Sequence, residues 1–370
     1  MAPGEEYTSA GLYDPAVDAG TGRLELLRWL TERGFTIEEM VAAHRADTLG
    51  ALAGDRQLLQ GPRYQNVEAA DRFGLDGGEL IRLAMAFGFT APDPADQNEF
   101  ALNEPEAASL AAFAATKDMF SDEEALGFAR VVGSAVSRIA EAAVALFLTD
   151  VEGPSLAAAD DELQLATSVL HAVELLDGFA PTLDPLLRRH IVQAIARSRT
   201  TIMDQQERLQ YRYAVGFIDL VGFTPLSQDM SAAELGIFLR TFEARAHDAV
   251  TAVGARLVKL IGDEVMFVAP TVDIACRVAV ALMSEQRTAD HRTMVPRGGV
   301  AFGPVLVRGG DYFGDVVTKA SRLADQAEPG QLLATEEFAA ATTELDFTDP
   351  ADRMLKGFEA PVSVRSKSFL

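Results

Sequence analysis

The chain has 370 residues, a length suited to two or three domains with sizeable cores. Its net charge is −23, with 32 acids against 15 Lys and Arg in residues 1–200, so this half repels nucleic acid and anionic membrane surfaces. The single cysteine, Cys276, excludes an intrachain disulfide, no apolar run reaches the roughly 18 residues of a membrane span, and MAPGEEYTSAG lacks a leader pattern, so a cytoplasmic protein without a transmembrane segment is expected.

From Met1 to about Leu183 the pattern is helices joined by short turns. GRLELLRWLTERG is one amphipathic stretch. Thr36 with Glu39, Asp76 with Glu79, and Ser121 with Glu124 each have the spacing of a helix-opening cap. TAPDPADQNEF is a Pro/Asp-rich loop. A helix follows through Ala107–Lys117, and another runs from Ser121 to about Leu148. Strand-like runs of period two are missing, so this half is expected to be all-α. Its short helices could form a helix-turn-helix, but GLDGGELIRLAMAFGF carries one arginine where a DNA reader needs a basic face. Asp184 and Pro185 read as an N-cap and a first-turn proline. The helix they open would carry Leu187, Ile191, Ile195, Ile202 and Leu209 on a repeating stripe, as a connecting rod or a dimer seam.

From Tyr211 the grammar becomes α+β. YAVGFIDL is a strand and MSAAELGIFLRTFEARAHDAVTAV an amphipathic helix. ARLVKLIGDEVMFVAP makes two strands around a Gly262–Asp263 turn. DIACRVAVALMSEQ is a helix in which Cys276 reads as core. PRGGVAFGPVLVRGGDYFG makes two strands broken at Gly303–Pro304, and DVVTKASRLADQA is a helix.

Asp219 and Asp263 stand 44 residues apart, each in or beside a strand-like apolar run. An ionised carboxylate there is costly unless it pairs or binds a metal. Two of them near glycines read as a site for hard divalent cations beside a phosphate. Gly222 follows Asp219, and the backbone from Leu220 through Thr224 enters a helix whose free N–H groups can hold phosphate oxygens. Glu264 is expected on the opposite face of its strand and is left out of the site.

FIDLVGFT, VKLIGDEVMF and GDYFGDVVTKASR resemble, in order and spacing, the three signature blocks of class III adenylyl cyclases, a likeness covering about residues 207–368. The resemblance implies a ferredoxin-like α+β domain that works as a dimer and converts ATP to cyclic AMP and pyrophosphate. It implies that Asp219, Asp263 and the backbone carbonyl of Leu220 hold two Mg²⁺ or Mn²⁺ ions. The segment Gly222, Phe223, Thr224 would bind the triphosphate, and Arg322 would stabilise charge at the α-phosphate. Lys259 and Asp311 would read adenine: lysine donates to a ring nitrogen and a carboxylate accepts from the exocyclic amine, which favours ATP over GTP. Thr318 stands where the family has an asparagine that orients the ribose. It keeps a hydroxyl and loses the carboxamide, which implies slow turnover, with a silent nucleotide-binding sensor as the alternative. Both half-sites occur in one chain, so a symmetric homodimer would own two complete sites. Gly309–Phe313, GGDYF, also resembles the GGDEF motif of diguanylate cyclases, but its fourth-position acid is missing and Asp263 already supplies the hairpin aspartate.

The helical half resembles the regulatory half of soluble actinobacterial cyclases. That implies autoinhibition relieved by a signal, with a proton or a fatty acid as candidates. His44, His171 and His190 are its histidines, and AASLAAFAA and IAEAAVALFL are helices that could line a lipid cavity. The expected organisation is an all-helical regulatory domain over 1–184, a connecting helix over 185–208 and a catalytic domain over 209–370.

Overall fold

The computed structural model describes residues 4–18, 20–59, 61–90, 101–149, 161–201, 210–284, 286–287 and 293–370. The chain divides into two compact units, Met1–Leu187 and Arg188–Leu370.

The first unit is helical: α1 (Glu5–Ser9), α2 (Arg23–Glu32), α3 (Ile37–Arg45), α4 (Leu52–Leu58), α5 (Asn66–Phe73), α6 (Gly77–Ala86), α7 (Glu104–Ala114), α8 (Asp122–Phe147) and α9 (Glu162–Phe179). The capping signals act as their chemistry dictates. The Thr36 side chain accepts from the Glu39 N–H while the Glu39 carboxylate accepts from the Thr36 N–H. Asp76 and Ser121 likewise accept from the N–H groups of Glu79 and Glu124. Leu26, Leu27, Leu30 and Met40 centre one core, and Leu80, Leu83, Leu102 and Leu110 a second. Gly133 in α8 abuts the backbone of Phe87, where any side chain would overlap.

Two local expectations are corrected here. A two-stranded ribbon, β1 (Arg63–Gln65) with β2 (Ala101–Asn103), interrupts the helices, because three residue pairs sufficed where no period-two run announced a strand. The helix α10 (Leu183–Thr201) starts before Asp184, directly after a 3₁₀ turn at Ala180–Thr182. Asp184 is a first-turn acid rather than a cap. Pro185 is tolerated because a first-turn N–H has no intrahelical partner to lose. Ile202 and Leu209, most of the 90–100 loop, and the end of the expected 185–208 helix lie outside the described residues.

The second unit is built on β3 (Gln210–Leu220), α11 (Phe223–Asp229), α12 (Ala232–Ala252), β4 (Arg256–Ile261), β5 (Glu264–Ala269) and α13 (Val272–Leu282). After the short strands β6 (Gln286–Arg287) and β7 (Thr293–Met294) come β8 (Pro296–Arg308), β9 (Asp311–Phe313), α14 (Asp315–Gln326), β10 (Gln331–Thr335), α15 (Glu336–Ala340), β11 (Thr348–Arg353) and β12 (Val362–Ser368). The main sheet has the order β11-β12-β10-β8-β3-β5-β4, with β9 hairpinned onto β8. Its β3-α-β4-β5-α-β8 part is the βαββαβ arrangement of a ferredoxin-like fold, so the unit is α+β as the sequence implied.

Period-two alternation assigns the two faces. Ala214, Ile218 and Leu220 of β3 join Phe238 and Phe242 of α12 and Val278 and Ala279 of α13 in one core. Tyr213, Val215 and Phe217 face the other way, against Val316, Ala320 and Ala324 of α14. α14 lies close because Gly299 of β8 offers no side chain: a Cβ there would overlap the Ala320 carbonyl and the Ala324 nitrogen. The expected break at Gly303–Pro304 does not occur, and β8 runs through it. Pro304 falls between the β10 pairing, which ends at Val300, and the β9 pairing, which starts at Leu306, so its missing N–H interrupts no ladder on that side.

Candidate active site

Asp219 lies at the exit of β3, on the α14 side of the sheet by alternation. The hairpin turn Gly262–Asp263 between β4 and β5 brings the second acid to it; Gly262 takes φ 64, a left-handed value that suits glycine. Asp263 hydrogen-bonds the Asp219 side chain. Its carboxyl is pushed up to about 7, first by burial and then by the hydrogen bond and negative charge of Asp219, against the opposing N–H groups of Asp263 and Leu220. The hydrogen bond between them needs one proton; once it is lost, both groups are acceptor-only and call for positive charge. Among the described residues no cluster of three or more His, Cys, Asp or Glu forms a metal site. A pair of carboxylates nevertheless fits Mg²⁺ or Mn²⁺, which complete their shells with water and substrate phosphates.

Part of the positive charge is already present. Arg297, the cross-strand partner of Asp219, donates to its Oδ2 from Nε at 3.1 Å and from Nη2 at 2.9 Å. The Arg297 Nη1 also donates to the Asp325 carbonyl at 2.9 Å. Sequence reasoning missed Arg297, since nothing local marks an arginine at a strand entrance as the neighbour of an acid 78 positions earlier. Glu264 was also placed wrongly. Its carboxyl is raised by burial and then by the charges of Asp219 and Asp325, so it lies within electrostatic reach of the site. Asp263 occupies the turn, and alternation along β5 leaves Glu264 on the Met266 side, which is the Asp219 side.

Gly222 is a left-handed N-cap at φ 85, with no side chain capping α11. Phe223 is buried and stacks on Phe238 at 5.5 Å, so its side chain serves the core and only its backbone is offered to a ligand. Thr224 follows in the first turn. The Leu220 side chain is buried as well.

Lys259 and Asp311, 52 positions apart, meet in an ion pair of 2.7 Å, Nζ to Oδ2. Asp311 Oδ1 accepts from the Tyr312 N–H at 2.8 Å. Burial raises the Asp311 carboxyl, but the Lys259 and Tyr312 hydrogen bonds and the charges of Lys259 and Arg256 outweigh it, leaving the group below its ordinary range. Lys259 reaches this position through a β-bulge. Leu257 pairs with Phe267 and Lys259 with Met266, so Val258 is the extra residue. In a regular strand Lys259 would share the Leu257 face, under α12; the bulge turns it to the Met266 face, where Asp311 waits.

Thr318 and Arg322 lie on successive turns of α14. The Thr318 hydroxyl donates back to the Gly314 carbonyl at 3.3 Å. Arg322 Nη1 holds Asp325 Oδ2 at 3.0 Å, while its buried Nε has no partner. Arg322 and Asp219 are thus linked within one chain through Asp325 and Arg297.

In the helical unit, His44 Nδ1 stands 3.1 Å from Arg23 Nη2, and Arg23 Nη1 holds Glu162 at 2.6 Å. His171 Nδ1 is 3.7 Å from Glu174, whereas His190, exposed on α10, falls in the second unit. AASLAAFAA buries Ala107, Leu110 and Ala114 in a packed core. A small hollow beside it is lined by Leu83, Phe113 and Leu126.

A ferredoxin-like sheet with a carboxylate pair at a strand exit, beside a helix bearing arginine, has the makeup of a class III nucleotidyl cyclase domain. Comparison with known proteins agrees. Residues 207–364 match the adenylate and guanylate cyclase catalytic domain, and residues 9–197 match the adenylate cyclase regulatory domain. An uncharacterized protein of Mycobacterium tuberculosis is 35% identical over 355 residues, covering 96% of this chain and 91% of its own. An adenylate cyclase of Streptomyces coelicolor is 34% identical over 285 residues, 75% of this chain and 71% of its own. A pH-sensitive adenylate cyclase of M. tuberculosis is 29% identical over 359 residues, 94% of this chain and 86% of its own. The chain belongs to the class III cyclases that carry an N-terminal adenylate cyclase regulatory domain. No helix among the described residues is long and apolar enough to cross a membrane.

Proposed function

We propose that this protein converts ATP to 3′,5′-cyclic AMP and pyrophosphate at sites shared by two copies of the chain, under control of its helical half. The observation that carries the choice of ATP is the Lys259–Asp311 pair: a donor and an ionised acceptor side by side match the N1 and amino edge of adenine, and guanine presents the reverse polarity. Binding exchanges their mutual ion pair for the base.

Asp219, Asp263 and the Leu220 carbonyl are the groups that would hold two Mg²⁺ or Mn²⁺ ions, which supply activation of the ribose 3′-hydroxyl and neutralisation of the leaving pyrophosphate. The chain's own residues do the rest. Backbone N–H groups from Gly222 to Thr224 orient the triphosphate, and the Thr318 hydroxyl positions the ribose. Arg322 offers an unpartnered, buried Nε to the charge that grows at the α-phosphate. Two copies are needed because the carboxylate pair of one protomer is completed by Lys259, Asp311, Thr318 and Arg322 of the other. Exposed apolar residues on α8 (Val136, Ile139, Val144, Leu146) and α10 (Leu186, Leu187, Ile191, Val192, Ile195) offer surface for that association.

We assign regulation to residues 1–184 and catalysis to 209–370, with the segment between them as the coupling element. A proton is the preferred signal over a fatty acid, since a pH-sensitive relative exists. The test is incubation of the full chain with ATP and Mn²⁺ across pH, following cyclic AMP and pyrophosphate. Asp219→Ala must abolish product; product that persists in this variant removes the two-metal mechanism.

A further inference from the structure

Asp311, the acceptor of the base-reading pair, sits on unpromising backbone. Its strand β9 has three residues. The turn before it is Gly309–Gly310, with φ 60 and 77, a pair of left-handed glycines that joins β8 to β9 in two residues. Two adjacent glycines have more conformational freedom to lose than any other pair, so this hairpin needs an external hold.

Arg256 provides one. It opens β4, pairs with Val268, and shares the face of Lys259 only because Val258 is bulged; residues three apart on a regular strand point to opposite faces. Its Nη2 donates to the Gly310 carbonyl at 2.6 Å, and its Nη1 lies 3.4 Å from the Tyr312 hydroxyl. The guanidinium carbon stands 5.5 Å from the centre of the Tyr312 ring. That ring is buried and packs edge-on against Tyr213 at 5.2 Å, so it is a fixed anchor. Arg256 therefore grips the residues on either side of Asp311, while Lys259 grips Asp311 itself. One bulged strand holds three consecutive residues of the opposing hairpin, and the fork of the guanidinium spans two of them.

We propose that Arg256 is a positioning residue for base selection: by clamping Gly310 and Tyr312 it holds Asp311 in register with Lys259. This rests on the reading of Lys259 and Asp311 as the adenine-reading pair. With the clamp removed, the glycine turn is free to rotate Asp311 away, and its carboxylate loses one of the two cationic neighbours that favour its acceptor form.

The experiment uses the full chain with Arg256→Ala, Arg256→Lys and, as reference, Lys259→Ala. Turnover is measured with ATP and with GTP in Mn²⁺, alongside thermal unfolding. Arg256→Ala is expected to raise KM for ATP and lower the ATP-to-GTP ratio of kcat/KM about tenfold, with a smaller change in kcat. Arg256→Lys, which can hold one partner but not both, is expected to fall between. If Lys259→Ala moves the ratio and neither Arg256 variant does, the clamp is refuted while the base-reading pair stands. The clamp is equally refuted if both Arg256 variants lose activity to the same extent toward the two nucleotides, in step with lowered melting. If Lys259→Ala leaves the ratio unchanged, the base-reading assignment falls and the clamp with it.

Discussion

Replacing Asp263 with asparagine isolates the electrostatic cost of the carboxylate pair. In the folded chain the Asp263 carboxyl titrates at about 7 against an ordinary 3.8. The folded state therefore holds this proton more tightly than the unfolded state does. The resulting cost of ionisation is full above about pH 7, shrinks as pH falls through 7, and is gone below about 3.8. A shift of this size corresponds to about 4 kcal/mol if unscreened. Asp263 is only half-buried, so water and salt reduce the figure to about 1–2 kcal/mol. Asparagine keeps the shape and a hydrogen bond to Asp219 but removes the charge. In chelator-treated protein the variant should melt higher than the parent at pH 8 by about 3–6 °C, for a unit of this size. At pH 5 the parent carboxyl is protonated in the folded chain but ionised in the unfolded one, so the gain should shrink to about 40% of its pH 8 value and vanish only below about pH 3.8. Millimolar Mn²⁺ should raise the parent at pH 8 far more than the variant, since the cation replaces the missing positive charge. A melting difference that is the same at both pH values, or a variant less stable than the parent at pH 8, would refute the reasoning.

Gly299→Ala should push α14 off the sheet at a cost of about 1–3 kcal/mol, and it should lower activity although Gly299 is not a site residue; calorimetry and turnover together check this, and unchanged kcat would show that the placement of Thr318 and Arg322 tolerates the shift. Thr318→Asn restores a carboxamide on α14 and should raise kcat for ATP about three- to tenfold, the worth of one hydrogen bond to the ribose; steady-state kinetics decide it, with an unchanged or lower kcat counting against a ribose role. The catalytic segment 205–370, assayed beside the full chain, should be the more active per mole and should lose the pH response of the full chain. Equal activity at every pH would end the autoinhibition reading.

Much of the fold was legible because its signals are local. Gly262–Asp263 between two apolar runs specifies a hairpin through the freedom of one glycine. The capping pairs at Thr36, Asp76 and Ser121 mark helix starts because the side chain that ends the turn also satisfies the orphan N–H groups. Failures came where a long-range pairing overrode a local sign. Gly303–Pro304 looks like a break until β3 holds the strand straight across it. Asp184–Pro185 looks like a helix start until the turn at Ala180–Thr182 begins the helix earlier. Glu264 faces Asp219 because Asp263 occupies the turn and Glu264 opens β5, so alternation along the strand starts one residue later than the sequence alone suggests.

What the sequence determined by itself was the set of elements and the chemical types at the site: carboxylates at 219, 263 and 311, a lysine at 259 and an arginine at 322, each on a strand, turn or helix that could be named from its pattern. What the tertiary structure decided was which side chains share a face and which charges meet. The bulge at Val258 sends Lys259 and Arg256 to the same side of β4. The register of β3 against β8 sets Arg297 beside Asp219. Strand periodicity is a local property of the backbone, whereas register and bulges are settled by the total burial of two faces at once. No single stretch of the chain contains that information.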